Sequence, residues 1–245
     1  MKYERPPITE ALVELHFSEQ NPDHGVGARF YDAWKSRCQK REQIQFQRFH
    51  IGVAPTAPPP PPPPMPTDRL WFDEPVSIVH VGPRYLSTHV LHPYPGFDAF
   101  LPRLQQSIDQ YRSLVQPVAI EQVAMRYINR IDLPLAEDGS VAEWLKVGVL
   151  LPDTFHGLIN GFNVHSSVDM PEIASEIRYS FRSGKRSESS AEVWIDIQVT
   201  SKKGSPPTLD SLDEWLHVSH DKGIILSFEG SVTDAARTAF GVNYE

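Results

Sequence analysis

The sequence predicts an α+β protein, an antiparallel sheet with helices packed on one side, built from two similar halves that each run strand, helix, strands, helix. Three observations carry this. The stretch Val118 to Pro134 alternates cleanly: Val123, Met125, Tyr127, Asn129, Ile131 and Leu133 lie on one side, and Gln122, Ala124, Arg126, Ile128, Arg130 and Asp132 on the other. That is the period of a half-buried strand. Shorter alternating segments are separated by turn residues such as Gly82-Pro83 and Pro95-Gly96, as in hairpins. Two amphipathic stripes at helical spacing follow the strand runs, one near residues 98–115 and one after Pro206-Pro207.

The elements follow in order. Arg5-Pro6-Pro7 favours an extended entry, and Ala11, Val13, Leu15 and Phe17 then alternate with Leu12, Glu14 and His16 as a first strand. Val26, Phe30, Ala33, Trp34 and Cys38 form the stripe of a helix over about residues 25–39, with Cys38 a small core residue. Ile44 to Val53 reads as a strand. Pro55 to Pro66, with seven consecutive prolines from Pro58 to Pro64, is a stiff polyproline loop between strands; docking to an aromatic groove is its functional alternative. Strands follow at 69–72, 76–81 and 85–91, then a helix over 98–115 with Leu101, Leu104, Ile108, Tyr111 and Val115 on its stripe and Pro102 near its first turn. In the second half, Ser140 and Glu143 have capping-box spacing before a short helix. Strands read at 158–168, 176–182 and 191–200, with Gly184 turning the second into the third. Leu209, Leu212, Trp215 and Leu216 mark a second long helix, with Ser211 and Glu214 at capping-box spacing and a pattern reaching Phe228. A last helix, 232–240, stops at Gly241. The expected division is residues 1–115, carrying the proline-rich loop 55–66, and 116–245. The order matches TATA-binding-protein-like or helix-grip topologies, an analogy of fold that carries no function.

Composition narrows the function classes. The net charge is −8, with 31 acidic against 23 basic residues. This disfavours nucleic acid and anionic lipid, whose binders present a basic footprint. No apolar run reaches the ~20 residues of a membrane span, and the N-terminus lacks a signal-peptide pattern. One cysteine excludes an intrachain disulfide framework, so a cytoplasmic setting is expected. There is no GxxxxGK[ST] loop, GxGxxG, GxSxG or CxxC, so no catalytic residue and no cofactor is expected.

The polar strand faces hold the candidate ligand-binding residues. Arg126 and Arg130 share a face roughly 13 Å apart. Glu176, Arg178 and Arg182 share another, as do Glu192, Trp194 and Asp196. Two readings are open. Opposite charges on neighbouring strands form cross-strand pairs; or Arg126, Arg130, Arg178 and Arg182 present forked donors to a carboxylate or phosphate, with Trp194 as a stacking surface. Asn129, on the apolar side, is expected to be a hydrogen-bonded anchor. His80, His89 and His92, and His217 with His220, have spacings that a metal could use, but no HExxH accompanies them and helix-face or packing roles are the default.

Three stretches together carry a resemblance: Lys2-Tyr3 with Arg5-Pro6-Pro7-Ile8 and Glu10-Ala11; Arg126-Tyr127-Ile128-Asn129-Arg130-Ile131; and Phe228-Glu229, Thr233-Asp234, Arg237 and Phe240-Gly241, with Tyr94-Pro95-Gly96-Phe97 as a further match. The chain resembles a sporadically distributed, uncharacterised bacterial protein family of about this length. The resemblance implies an accessory role such as defence or toxin neutralisation and supplies no catalytic residues. The expected function is a non-enzymatic cytoplasmic binding protein with a protein partner or self-association. The alternative is an anionic small-ligand protein or enzyme with its site around Arg126 and Arg130.

Overall fold

The computed structural model describes residues 2–18, 23–46, 65–73, 76–115, 119–135, 141, 143–146 and 161–243. It is a mixed α/β fold with a large antiparallel sheet content. The proline run 55–64 lies outside the described residues, as do Ser140 and residues 158–160.

The chain forms two compact units. The N-terminal unit comprises Glu14–Val90 and Pro95–Glu121, and the C-terminal unit Met1–Val13, Leu91–Tyr94 and Gln122–Glu245. Chain order therefore does not equal unit membership: the first thirteen residues belong with the second half.

In the N-terminal unit the strand order is β3 (Lys40–Phe46), β4 (Met65–Phe72), β5 (Ser77–Gly82), β6 (Tyr85–Leu91), then the end of β2 (Ile8–Ser18). Helix α1 (Val26–Trp34) packs on β4 and β5 and against α2 (Phe97–Leu114). Most of the apolar spacing read from the sequence is buried: Val26, Phe30 and Trp34 of α1, and Leu104, Ile108 and Tyr111 of α2, with Phe100 taking the buried place expected of the half-buried Leu101; Ala33 is exposed. Phe17 stacks on Tyr111 at 4.9 Å, and the Tyr111 hydroxyl donates to the Gly82 carbonyl at 3.2 Å. Each such side chain contributes roughly 1.5–3 kcal/mol by leaving water.

In the C-terminal unit the order is the start of β2, then β7 (Ala119–Pro134), β10 (Ser190–Ser201), β9 (Ser175–Arg186) and β8 (Asn163–Met170). The predicted phase of β7 holds: Val123, Met125, Tyr127, Asn129, Ile131 and Leu133 are buried, and Asn129 Nδ2 donates to the Ile195 carbonyl at 3.1 Å. After β10 come α3 (Leu212–Val218), a π-helical segment (Ser219–Ile225), α4 (Leu226–Ser231) and α5 (Asp234–Ala239). The π segment and α4 lie on β10. A short pair, β1 (Lys2–Tyr3) with β11 (Val242–Asn243), joins the two ends of the chain.

Several local expectations need correction. Helix α1 ends at Trp34, so Cys38 is not on its stripe; it is half-buried and its thiol donates to the Lys40 carbonyl at 3.1 Å. Pro102 sits in the second turn of α2, beyond the first turn where a missing N–H is free of cost. Gly184 lies inside β9, not in a turn, beside a bulge opposite Ala191–Val193; a Cβ there would come within 2.1 Å of Glu192 Oε1. Ser211 does flank α3 but caps nothing, because its hydroxyl is engaged with Thr208 Oγ1 at 3.0 Å. Glu143 and Trp144 lie in a turn, and Leu145 bridges to Val232. The duplication of halves is not confirmed: among the described residues four strands separate α1 from α2, whereas three lie between β7 and α3.

Candidate functional site

Antiparallel register decides which of the predicted residues meet. On β10, Trp194 stands opposite Arg130 of β7 and Arg182 of β9, Gln198 opposite Arg126 and Arg178, and Asp196 opposite Ile128 and Ser180. All these side chains project from the same face, away from the buried set of β7, because the period of a strand is two. Arg126, Arg130, Arg178, Arg182 and Trp194 are thus brought onto one surface, as the sequence reading required.

What they do there is mostly to satisfy one another. Arg126 forks onto Asp196, with Nε to Oδ1 at 2.8 Å and Nη2 to Oδ2 at 2.5 Å, the planar bidentate geometry that arginine favours. Arg130 contacts Asp132 at 3.1 Å and Glu192 at 3.5 Å. Arg178 holds Glu176 at 2.7 Å. Arg182 lies over the Trp194 ring, 4.7 Å from its centroid, and the indole N–H donates to Glu192 Oε1 at 2.8 Å. The Trp194 hydrogen bond is the main reason that the Glu192 carboxyl is held below its ordinary range, and the Arg178 hydrogen bond does the same for Glu176. Four arginines therefore face the four carboxylates of Asp132, Glu176, Glu192 and Asp196, and the surface is charge-balanced.

Beside Arg178 the surface dips into a groove of about 380 Å³ lined by His165, Ser167, Arg178, Ser180, Asp196 and Gln198. The sequence reading did not single out His165, Ser167, Ser180 or Gln198. Their alternation phase was available, but the register that sets β8 beside β9 was not.

A second cluster joins the stretches that carry the family resemblance. Tyr3 donates to Glu229 Oε1 at 2.6 Å, and its ring meets Phe228 and Phe240 edge-on at 6.1 and 5.8 Å. Arg237 reaches Glu229 Oε2 at 2.7 Å and Asp234 Oδ1 at 2.5 Å. Burial, then the Glu229 contact, pushes the Tyr3 phenol well up, so it stays a donor at any physiological pH. The Glu4 and Arg5 amides donate to the Gly241 and Phe240 carbonyls, both at 3.0 Å; Gly241 has φ of 69°, a conformation glycine adopts without strain. The central stretch joins through the Arg130 amide, which donates to the Pro7 carbonyl at 2.9 Å. These residues build a joint between chain ends. The hydroxyls of Tyr94 and Tyr127 lie 2.7 Å apart; burial drives the Tyr127 phenol far above its ordinary value, so it stays protonated.

The histidines fall into local pairs. His80 Nε2 accepts from Arg69 Nε at 3.0 Å, and His89 Nε2 lies 2.8 Å from Ser87 Oγ. His217 and His220 turn to the Asp213 carbonyl and to Asp221. Among the described residues no group of three His, Cys, Asp or Glu side chains is arranged to hold a metal ion. No helix among them is long and apolar enough to cross a membrane. No protein-family model matches the chain, and a search of curated proteins finds no match.

Proposed function

We propose that the chain is a non-enzymatic cytoplasmic binding protein that engages a protein partner, or a second copy of itself, through the polar face of β7, β10 and β9. One observation carries the reading: the guanidinium groups of Arg126, Arg130 and Arg178 are already matched by Asp196, Glu192, Asp132 and Glu176, and that of Arg182 lies over the Trp194 ring. A small anion would have to compete with four carboxylates for them. A protein surface of complementary pattern instead meets both signs at once and excludes water around the Arg182–Trp194 stack. Tryptophan and arginine are also the residue types on which interface affinity concentrates. An accessory role of the kind implied by the family resemblance, such as toxin neutralisation, fits a partner encoded elsewhere.

The test is capture from the native host, with wild type compared against the Arg182→Glu/Trp194→Ala double variant. A stoichiometric protein partner, or a concentration-dependent dimer in light scattering, should be retained by wild type and weakened at least about tenfold by the variant. Equal capture by both removes this face from consideration. The groove at His165, Ser167 and Arg178 favours a second reading, a small polar ligand. A small molecule that co-purifies with wild type and is lost in Arg178→Gln would support that reading.

A further inference from the structure

In the C-terminal unit β8 is an outer strand: it pairs with β9 on one side, and among the described residues no strand pairs with its other side. Seven of its eight residues, 163–169, are exposed, and Val164 and Val168 are two of the four exposed large apolar side chains among the described residues. The register fixes which main-chain groups point outward. The Phe162 carbonyl accepts from the Ser183 amide at 3.0 Å, so that opposed pair is a hydrogen-bonded one. Such pairs alternate along an antiparallel ladder, which turns the N–H and C=O groups of Asn163, His165, Ser167 and Asp169 away from β9.

Natural sheets usually guard an outer strand with charge, proline or a bulge. In the N-terminal unit β3 carries Lys40, Arg41 and Glu42. By contrast β8 has no lysine, arginine or proline, and its register with β9 is unbroken. Its sequence is also complementary to itself. A two-fold axis through Ser166, the centre of the exposed run, sets Val164 opposite Val168 of a second copy, His165 opposite Ser167, and Asn163 opposite Asp169. Apolar meets apolar on one side of the strand. On the other side an amide meets a carboxylate that already holds Lys202 at 2.8 Å, and no like charges oppose each other.

We propose that β8 pairs antiparallel with β8 of a second copy across this axis, so that the sheet of the C-terminal unit continues into its partner. The joined groups are the main-chain N–H and C=O of Asn163, His165, Ser167 and Asp169, and the pairing is independent of the function proposed for the face of β7, β10 and β9. One strand pair buries little area, so the dimer is weak and concentration-dependent.

Sedimentation of the full chain over a range of concentrations is the test. Wild type should show a monomer–dimer equilibrium. Ser166→Lys, at an exposed position, brings two ammonium groups together on the axis and should weaken the dimer at least about tenfold with an unchanged circular dichroism spectrum. A cysteine at the same place gives a positive readout: opposed residues of a non-hydrogen-bonded pair lie about 4.5 Å apart between Cα atoms, within disulfide reach. Air oxidation should therefore link two copies of Cys38→Ser/Ser166→Cys. Cys38→Ser/Asn163→Cys, whose two thiols would stand about 20 Å apart in this register, should stay unlinked. A monomer up to about 1 mM, a dimer unaffected by Ser166→Lys, or equal cross-linking at both positions overturns the proposal. A dimer that resists Ser166→Lys but dissociates in Arg182→Glu/Trp194→Ala places self-association on the polar face instead.

Discussion

The β5–β6 hairpin and the β8–β9 pair are both antiparallel two-strand ladders, yet water treats them differently. Every residue of β5 and all but the last of β6 are buried, whereas seven of the eight residues of β8 are exposed. In the hairpin, several polar side chains are satisfied by close neighbours: Arg69 serves His80, Ser87 serves His89, and Tyr85 donates to Glu14 at 3.2 Å, while the buried Ser77 and Thr88 hydroxyls have no hydrogen-bond partner among the described residues. On β9 and β10 the same kinds of groups form ion pairs in contact with solvent. The lesson concerns the meaning of a polar residue in a strand. When both faces are covered it is a constraint on folding; on an open face it is a surface feature available for recognition.

The largest test of this contrast is Leu86→Ala in β6, where the side chain is fully buried. We expect a loss of about 2–5 kcal/mol in urea denaturation, because a cavity remains where the side chain was. A loss below about 1 kcal/mol would mean that the hairpin is not packed on both faces. Next comes His80, whose pKa falls from 6.5 to about 3, chiefly through burial, with His89 and Arg69 adding to it. Above pH 6.5 the ring is neutral whether the chain is folded or unfolded. Below it, the unfolded chain takes up a proton that the folded chain refuses, so stability is lost as pH falls from 6.5 toward 3. The slope approaches about 1.4 kcal/mol per pH unit. Between pH 6.5 and 5 the wild type should therefore lose roughly 2 kcal/mol more than His80→Gln, in denaturation curves measured at both pH values. Equal losses would show that the ring titrates normally.

On the open face, effects shrink. Arg126→Gln breaks the fork to Asp196, but with side-chain exposures of 40% and 23% the pair is screened. A loss of about 1 kcal/mol or less is expected, and smaller still at high salt. Smallest of all is Val168→Ala on the other side of β8, opposite Ile177 and 59% exposed, which should stay within about 0.5 kcal/mol of wild type. A large destabilisation by Arg126→Gln would mean that the polar face is covered in solution, and one by Val168→Ala that the other side of β8 is; self-association in light scattering would then be the first thing to measure.

How much of this was readable in advance depended on distance along the chain. The phase of β7 and the buried stripes of α1 and α2 followed from periodicity, because a strand or helix buries the side on which its apolar residues recur. Cys38, Gly184 and Ser211 defeated the same reasoning. The helix ahead of Cys38 stops a turn early, Gly184 sits inside a strand where the Glu192 side chain of the next strand closes on it, and Thr208 holds the hydroxyl of Ser211.

From the sequence alone came the α+β class, the inward and outward sides of the main strands, and the grouping of Arg126 with Arg130 and of Arg178 with Arg182, since these are properties of neighbours two to four residues apart. Tertiary structure alone decided that Asp196 neutralises Arg126, that Trp194 carries Arg182, and that Tyr3 reaches Glu229. Each of those contacts joins residues many positions apart. Nothing in local periodicity encodes such a meeting; strand register and helix packing set it, through the free energy of the whole fold.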